Sequence, residues 1–76
     1  MKPVQLRMAR SALGWGVRDL AAKAGVTANT VTRIENGADA KQSTIDALRA
    51  ALEKAGVEFI AENGGGLGVR MKKGQA

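Results

Sequence analysis

The sequence predicts a mainly α-helical fold in which four short helices are followed by a C-terminal β-hairpin. Three observations lead to this prediction. Apolar residues recur three and four positions apart up to residue 55, which is the spacing of one helix face. Each of these patterns is followed by a glycine suited to the position just past a helix end, namely Gly14, Gly25, Gly37 and Gly56. The remaining sequence alternates β-branched, aromatic and polar residues, as strands do.

The first predicted helix runs from Pro3 to Leu13. Proline suits its first turn, because the N–H that proline lacks would have no partner there. The inward-facing residues of this helix are Leu6, Ala9 and Leu13. Trp15 follows between two glycines, and we expect its ring to cover the junction with the second helix rather than to act as a stacking platform.

The second predicted helix, Val17 to Ala24, leads into a tight turn. Its inner face is formed by Val17, Leu20, Ala21 and Ala24. Ala21 carries only a methyl group, so a neighbouring helix can approach closely at that position. Gly25 can adopt a positive φ at no steric cost and can therefore reverse the chain.

The third predicted helix runs from Ala28 to Asn36. Thr27 can cap it by accepting a hydrogen bond from an early backbone N–H, and Val31 and Ile34 face the second helix. Two short helices joined by a glycine turn have the geometry of a helix-turn-helix, whose second helix can enter a DNA major groove.

The fourth predicted helix runs from Thr44 to Ala55, after a polar connection over residues 38–42. We expect Ser43 to be its N-cap and Asp46 to complete a variant of the capping box. Its apolar stripe consists of Ile45, Leu48, Leu52 and Ala55.

The predicted hairpin pairs Val57–Ile60 with Leu67–Met71 across a glycine-rich loop. Because a two-stranded hairpin is marginal in water, it must pack on the fourth helix or pair with another chain. We therefore divide the chain into a helical domain (1–56), a hairpin within the same domain that is a possible dimerisation element (57–71), and a frayed tail (72–76).

Composition limits the classes of function. The chain has 76 residues, enough for one domain with a small core that a second copy would extend. It contains no Cys and no His, and its carboxylates are scattered, so we expect no catalytic site, metal or cofactor. The net charge of +5 favours a polyanionic partner or, equally, a merely solubilising surface. With neither a signal peptide nor a segment able to span a membrane in view, we expect a cytoplasmic protein, associated with the nucleoid.

From Leu6 to Leu52 the chain resembles the lambda-repressor/Cro-like helix-turn-helix domain of the XRE family of prokaryotic regulators. The matching residues are Arg10, Leu13-Gly14, Leu20-Ala21, Gly25-Val26, Val31, Ile34-Glu35-Asn36-Gly37 and Leu48. The resemblance implies a homodimer that binds a palindromic operator in double-stranded DNA as a repressor or modulator of transcription. It also implies that helix 28–36 is the recognition helix, and that Arg10 and Glu35 form a structural ion pair.

Several side chains are candidates for contact with DNA. Asn29 can pair with adenine, Arg33 with guanine or a phosphate, and Thr32 can offer a hydroxyl bond or a methyl contact. For Thr27, capping alone is as good an interpretation as contact. The complete set of predicted DNA-binding residues is Thr27, Ala28, Asn29, Thr32, Arg33, Asn36, Arg18 and Lys41.

Two departures from the family pattern favour an alternative. Gly16 and Val17 stand where many members have a polar pair that binds phosphate, and Ala28 replaces what is often a long polar side chain. A surface that has lost DNA contacts also fits a protein-binding module, such as an antitoxin or anti-activator, that takes a protein partner on the same scaffold.

Overall fold

The computed structural model describes residues 1–62 and 64–72 of the chain. Over these residues it confirms the predicted fold of four helices followed by an antiparallel pair of strands. The elements are α1 (Pro3–Ala12), α2 (Val17–Ala24), α3 (Ala28–Glu35), α4 (Gln42–Lys54), β1 (Val57–Ile60) and β2 (Gly68–Met71).

The first three helices end in the same way, at a glycine with a positive φ. Gly25, with φ of 73°, ends α2, and the next amide, that of Val26, donates to Ala21 O at 3.0 Å. A bond across six residues behind a left-handed glycine is the Schellman arrangement, which satisfies carbonyls that would otherwise lack partners. The ends of α1 and α3 repeat it, and Leu13 and Asn36 are the C-caps just outside those two helices rather than their last residues.

The start of α4 differs from the prediction. Ser43 is not the N-cap, because the helix begins two residues before the predicted Thr44. Lys41 is the capping residue instead, and its carbonyl accepts from the amides of Thr44 and Ile45 at 3.0 and 3.1 Å. The earlier start adds backbone hydrogen bonds in place of a side-chain cap that contributes about 1 kcal/mol. Asp46 then lies within the helix and accepts from the side chain of Gln42.

The core is small and aliphatic. Its buried members are Leu6, Ala9, Leu20, Ala21, Val31, Ile34, Leu48, Leu52 and Val57. They come from all four helices and from the first strand, so the hairpin shares the core of the helices. The predicted inward residues Leu13, Val17, Ala24, Ile45 and Ala55 are only partly buried.

The hairpin packs against α1 as well as α4. Val57 pairs with Met71 and Phe59 with Val69, so these four apolar residues share one face of the sheet. On the other face Glu58 and Arg70 are directly opposite and form an ion pair of 3.0 Å. The ladder continues past the second strand, because the Lys72 amide donates to Gly56 O at 2.7 Å. Lys72, the first residue of the predicted frayed tail 72–76, is thus bonded to the backbone of the hairpin. The other tail residues, 73–76, and Asn63 of the predicted loop lie outside the described residues.

One buried polar side chain links the hairpin to α1. Gln5 is 4% exposed, and its Nε2 donates to the carbonyls of Ile60 and Gly68, both at 3.0 Å. Its Oε1 accepts from the Lys2 amide at 2.8 Å, at the start of the helix. Ile60 and Gly68 are register partners, so one amide group closes the loop end of the hairpin and holds it on the helix.

Candidate nucleic-acid interface

Helix α3 presents one apolar face to the core and one polar face to solvent. Val31 is fully buried and Ile34 is 6% exposed. The exposed side chains of the polar face are Asn29, Thr32, Arg33 and Asn36. Their spacing of three and four residues places them on one side of the helix, so the predicted contact residues of the third helix do share a surface.

The beginning of α3 is held by its cap. Thr27 Oγ1 accepts from the Thr30 amide at 3.1 Å and lies 2.8 Å from the Thr30 hydroxyl. The threonine hydroxyl therefore caps the helix in the structure. Ala28, the first helical residue, is half-buried against the core, whereas Asn29, Thr32 and Arg33 are exposed.

Most side chains on the polar face of α3 have no polar partner among the described residues. In residues 1–62 and 64–72, the side chains of Asn29, Thr32 and Arg33 make no hydrogen bond or ion pair. Asn36 differs, because its Oδ1 accepts from Arg7 Nη2 at 2.8 Å. Three adjacent polar side chains thus remain available to another molecule.

Helix α3 is fixed to α1 by a two-bond ion pair. Arg10 Nε and Nη2 donate to the two carboxylate oxygens of Glu35 at 2.8 and 3.0 Å, and the Glu35 side chain is only 5% exposed. Arg10 Nη1 also donates to the Trp15 carbonyl at 3.1 Å. The hydrogen bond to Glu35 raises the pKa of Arg10, burial opposes this, and the charge of Glu35 adds to the increase. The orientation of α3 is therefore set at its C-terminal end.

Arg7 adds a second contact at the same end. Its Nε lies 3.6 Å from Glu35 Oε1, so Arg7 and Arg10 share one carboxylate. The sequence places these arginines one turn apart, but their spacing alone did not indicate that Arg7 would reach Glu35 and Asn36. Gln5 was also missed by sequence reasoning, since a glutamine beside an apolar stripe carries no signal for burial.

The other predicted basic contacts flank α3. Lys41 is exposed at the start of α4 and, with Arg33, lines a shallow groove that also includes Thr30, Thr44 and Asp39. Arg18 is exposed on the first turn of α2. Neither Arg18 nor Lys41 is within 4.0 Å of a carboxylate in the part of the chain that the structure describes. Lys41 therefore lies beside Arg33 of the polar face, whereas Arg18 is an exposed cation on the neighbouring helix of the motif.

The start of α2 already holds a negative charge. The Gly16 amide donates to Asp19 Oδ2 at 2.7 Å, so a carboxylate occupies the end of the helix where a phosphate would bind. With Gly16 as the N-cap and Val17 as the first helical residue, contact with a phosphate here depends on the side chain of Arg18.

The described residues show neither a metal site nor a membrane span. Over 1–62 and 64–72, no group of three or more acidic side chains is arranged to hold a metal ion. Within the same ranges, every helix is too short or too polar to cross a bilayer.

The chain is similar to a known protein family over most of its length. Residues 4–58 match the model of a family described as a helix-turn-helix domain. The matched range starts in α1 and ends in β1, so it includes α2, the glycine turn and α3. The comparison with curated proteins gives no match.

Proposed function

The chain belongs to a helix-turn-helix domain family, and from this premise we propose that it is a sequence-specific regulator whose α3 lies in the major groove of DNA. Proteins of this type are typically DNA-binding and non-enzymatic. The observation that carries the proposal is the outward face of α3, where Asn29, Thr32 and Arg33 are exposed and unpaired among the described residues. A merely solubilising surface would not require them on the second helix of this motif.

Each of these side chains has a base edge that suits its chemistry. Asn29 can exchange two hydrogen bonds with the N6 and N7 of adenine, and Arg33 can donate two to the O6 and N7 of guanine. Thr32 offers a hydroxyl or a methyl to a neighbouring base. Asn36 lies at the end of the face, and because Arg7 holds its carbonyl oxygen, its amide N–H groups remain to donate.

Phosphate contacts follow from the flanking cations. Arg18 on α2 and Lys41 before α4 are exposed, and Lys41 shares a groove with Arg33, so both are candidates to contact the backbone of the duplex. Arg33 is an alternative phosphate ligand, because it shares a groove with Lys41. These contacts give affinity without sequence preference, and they depend on salt.

We further propose that the protein belongs to the XRE family and acts in the cytoplasm, at the nucleoid, as a homodimeric repressor of a palindromic operator. Two copies would place their α3 helices about 34 Å apart, so that both enter successive major grooves. The hairpin is the proposed dimerisation element, because a sheet of two strands leaves backbone groups at its outer edges for a second copy.

Selection of bound duplexes from a random DNA pool tests the proposal directly. We expect enrichment of a two-fold symmetric sequence whose half-site centres are about one helical turn apart. Sedimentation of the protein with the enriched duplex should give two chains per site. The absence of any enriched sequence, with no duplex retained in dilute buffer, would contradict DNA binding and leave the protein-binding module as the better interpretation.

A further inference from the structure

A groove of about 260 Å³ lies between α2 and α4, where no residue of α3 lines it. The residues around it come from the α1–α2 connection, from α2 and from the C-terminal part of α4. They are Trp15, Lys23, Ala51, Lys54 and Ala55. The groove is therefore separate from the face proposed to contact DNA.

The floor of this groove is apolar and its rim is positively charged. Trp15, Ala51 and Ala55 are half-buried, whereas Lys23 and Lys54 are exposed. Lys23 Nζ lies 6.0 Å from the centre of the Trp15 ring, near the outer limit of a cation–π contact. Within the described ranges, neither ammonium group has a carboxylate within 4.0 Å.

The acidic residues beside these lysines are engaged elsewhere. Asp19, one turn before Lys23, accepts from the Gly16 amide at 2.7 Å. Glu53, next to Lys54, is paired with Arg49 at 3.1 Å. Two ammonium groups without a counter-charge among residues 1–62 and 64–72 thus lie at the rim of an apolar groove.

We propose that this groove binds a short acidic segment of a partner protein, with a carboxylate between Lys23 and Lys54 and an aliphatic side chain on Ala51 and Ala55. The positive charges of Lys23 and Lys54 favour an acidic partner. The volume of about 260 Å³ is smaller than the ~300–1,000 Å³ of typical small-molecule sites, so it suits one or two side chains. A nucleic acid would meet an apolar floor rather than a row of cations that follows its phosphates.

Two further features suit a docking site. The chain around Trp15 is fixed, because its carbonyl accepts from Arg10 Nη1 and its amide donates to Arg10 O at 3.0 Å. The indole N–H has no hydrogen-bond partner among the described residues, and it is not a buried unsatisfied group, so it is open to a ligand. None of the residues proposed to contact DNA lines the groove, so the inference does not depend on DNA binding.

The test uses Trp15, which is the only tryptophan of the chain and therefore reports on the groove by its fluorescence. The full-length protein is titrated with an acetylated peptide in which leucines alternate with pairs of glutamates. A peptide with glutamine in place of glutamate is the control ligand. We expect saturable binding of the acidic peptide with a change in Trp15 emission, and much weaker binding of the glutamine peptide.

Two double variants separate the groove from the overall charge. Lys23→Gln with Lys54→Gln should weaken binding of the acidic peptide by about fivefold or more, since two exposed ion pairs contribute roughly 1 kcal/mol together. Lys2→Gln with Lys72→Gln removes the same charge away from the groove and should leave the affinity within about twofold. Circular dichroism verifies that both variants are folded.

Three results would overturn the inference. They are no binding of the acidic peptide to the wild-type protein, equal weakening by both double variants, and competition for the groove by duplex DNA. In the last case the groove would be a nucleic-acid contact. Failure of DNA binding by the wild-type protein would instead contradict the proposed regulator and leave this inference standing.

Discussion

Arg10 and Glu35 lie 25 positions apart in the chain and close α1 on α3 through two hydrogen bonds of 2.8 and 3.0 Å. The Glu35 side chain is 5% exposed and that of Arg10 is 21% exposed. Loss of either partner would leave the remaining charge largely shielded from water and without its closest counter-charge. The pair therefore matters less for its attraction than for the cost of breaking it.

We expect Glu35→Gln to lower the free energy of unfolding by about 3 kcal/mol, because it leaves the Arg10 guanidinium without its counter-charge. Glu53→Gln is the matched control, since it also removes a carboxylate paired with an arginine, but both side chains there are 44% exposed. Glu53→Gln should lower the free energy of unfolding by less than about 0.5 kcal/mol. Urea unfolding monitored by circular dichroism measures both, and equal losses would contradict the distinction.

The same pair sets an expectation for pH. The pKa of Arg10 is raised in the folded protein, chiefly by its hydrogen bond to Glu35. A raised pKa means that the stabilisation is complete below the pKa of the unfolded chain and disappears only as the pH rises through the higher folded value. Arg10 should therefore add no pH dependence to the free energy of unfolding near neutrality. Its contribution to that free energy should be lost only at strongly alkaline pH. Unfolding curves at increasing pH measure this.

Gln5→Leu should destabilise the protein by about 2–3 kcal/mol, because two carbonyls of the hairpin and one amide of α1 lose a partner. The effect should be largest at the hairpin, whose amides should exchange with deuterium faster than those of α2 and α3. Gln42→Leu is the matched control, since Gln42 is exposed and bonds only to Asp46 within the described chain. Uniformly faster exchange in all elements would show that Gln5 does not act specifically on the hairpin.

Gly25→Ala should cost about 1–2 kcal/mol, the strain of an L-residue in the left-handed region. The cost is purely conformational, because a Cβ at this position meets no atom within 4 Å. Gly68→Ala, where space is also free but φ is not in that region, should be neutral or slightly stabilising. Thermal unfolding compares the two, and a neutral Gly25→Ala would mean that the turn can change its conformation.

Arg33→Ala should weaken binding to the enriched duplex by about 1–3 kcal/mol and relax sequence preference at one base pair. Arg49→Ala removes the same charge from α4, away from α3, and should change the affinity by less than about 0.5 kcal/mol. Titration of fluorescent duplexes measures both. An unchanged affinity of Arg33→Ala would exclude this arginine from the interface.

Lys41→Gln and Arg18→Gln should act differently from Arg33→Ala. As phosphate contacts, each should weaken binding to all duplexes alike and reduce the slope of log affinity against log salt by about one. Titrations at several salt concentrations, with the enriched duplex and a scrambled one, measure the slope. Loss of affinity for the enriched duplex alone would show base contact instead.

The helices and their order could be predicted because the signals are local. A stripe of apolar residues, a threonine before a helix and a glycine after it each act within one or two turns, and Gly25 shows this with its φ of 73°. The start of α4 could not be predicted in this way. Ser43 is the better N-cap by residue type, yet the helix begins earlier, with Lys41 as its N-cap and no side-chain cap.

In the candidate sites too, features set by neighbouring residues could be predicted from the sequence, whereas contacts between distant residues could not. The exposed face of α3 follows from helical periodicity, so Asn29, Thr32 and Arg33 could be named from the sequence. The lysines around Trp15 come from segments that are distant in the chain, and only packing of α2 against α4 brings them together. Arg7 reaches Glu35 and Asn36, and Gln5 reaches Ile60 and Gly68, all 28 or more positions away, a distance over which single-sequence patterns carry no information.

The sequence by itself determined the number and type of the elements, the turn between α2 and α3, and the polar face of α3. Tertiary structure alone decided that the hairpin rests on α1 through Gln5 and that Arg7 and Arg10 share Glu35. The physical reason is the separation along the chain over which each kind of interaction acts. Backbone propensity and side-chain periodicity act between neighbours in the chain, whereas burial and the pairing of buried polar groups depend on residues that only the folded chain brings into contact.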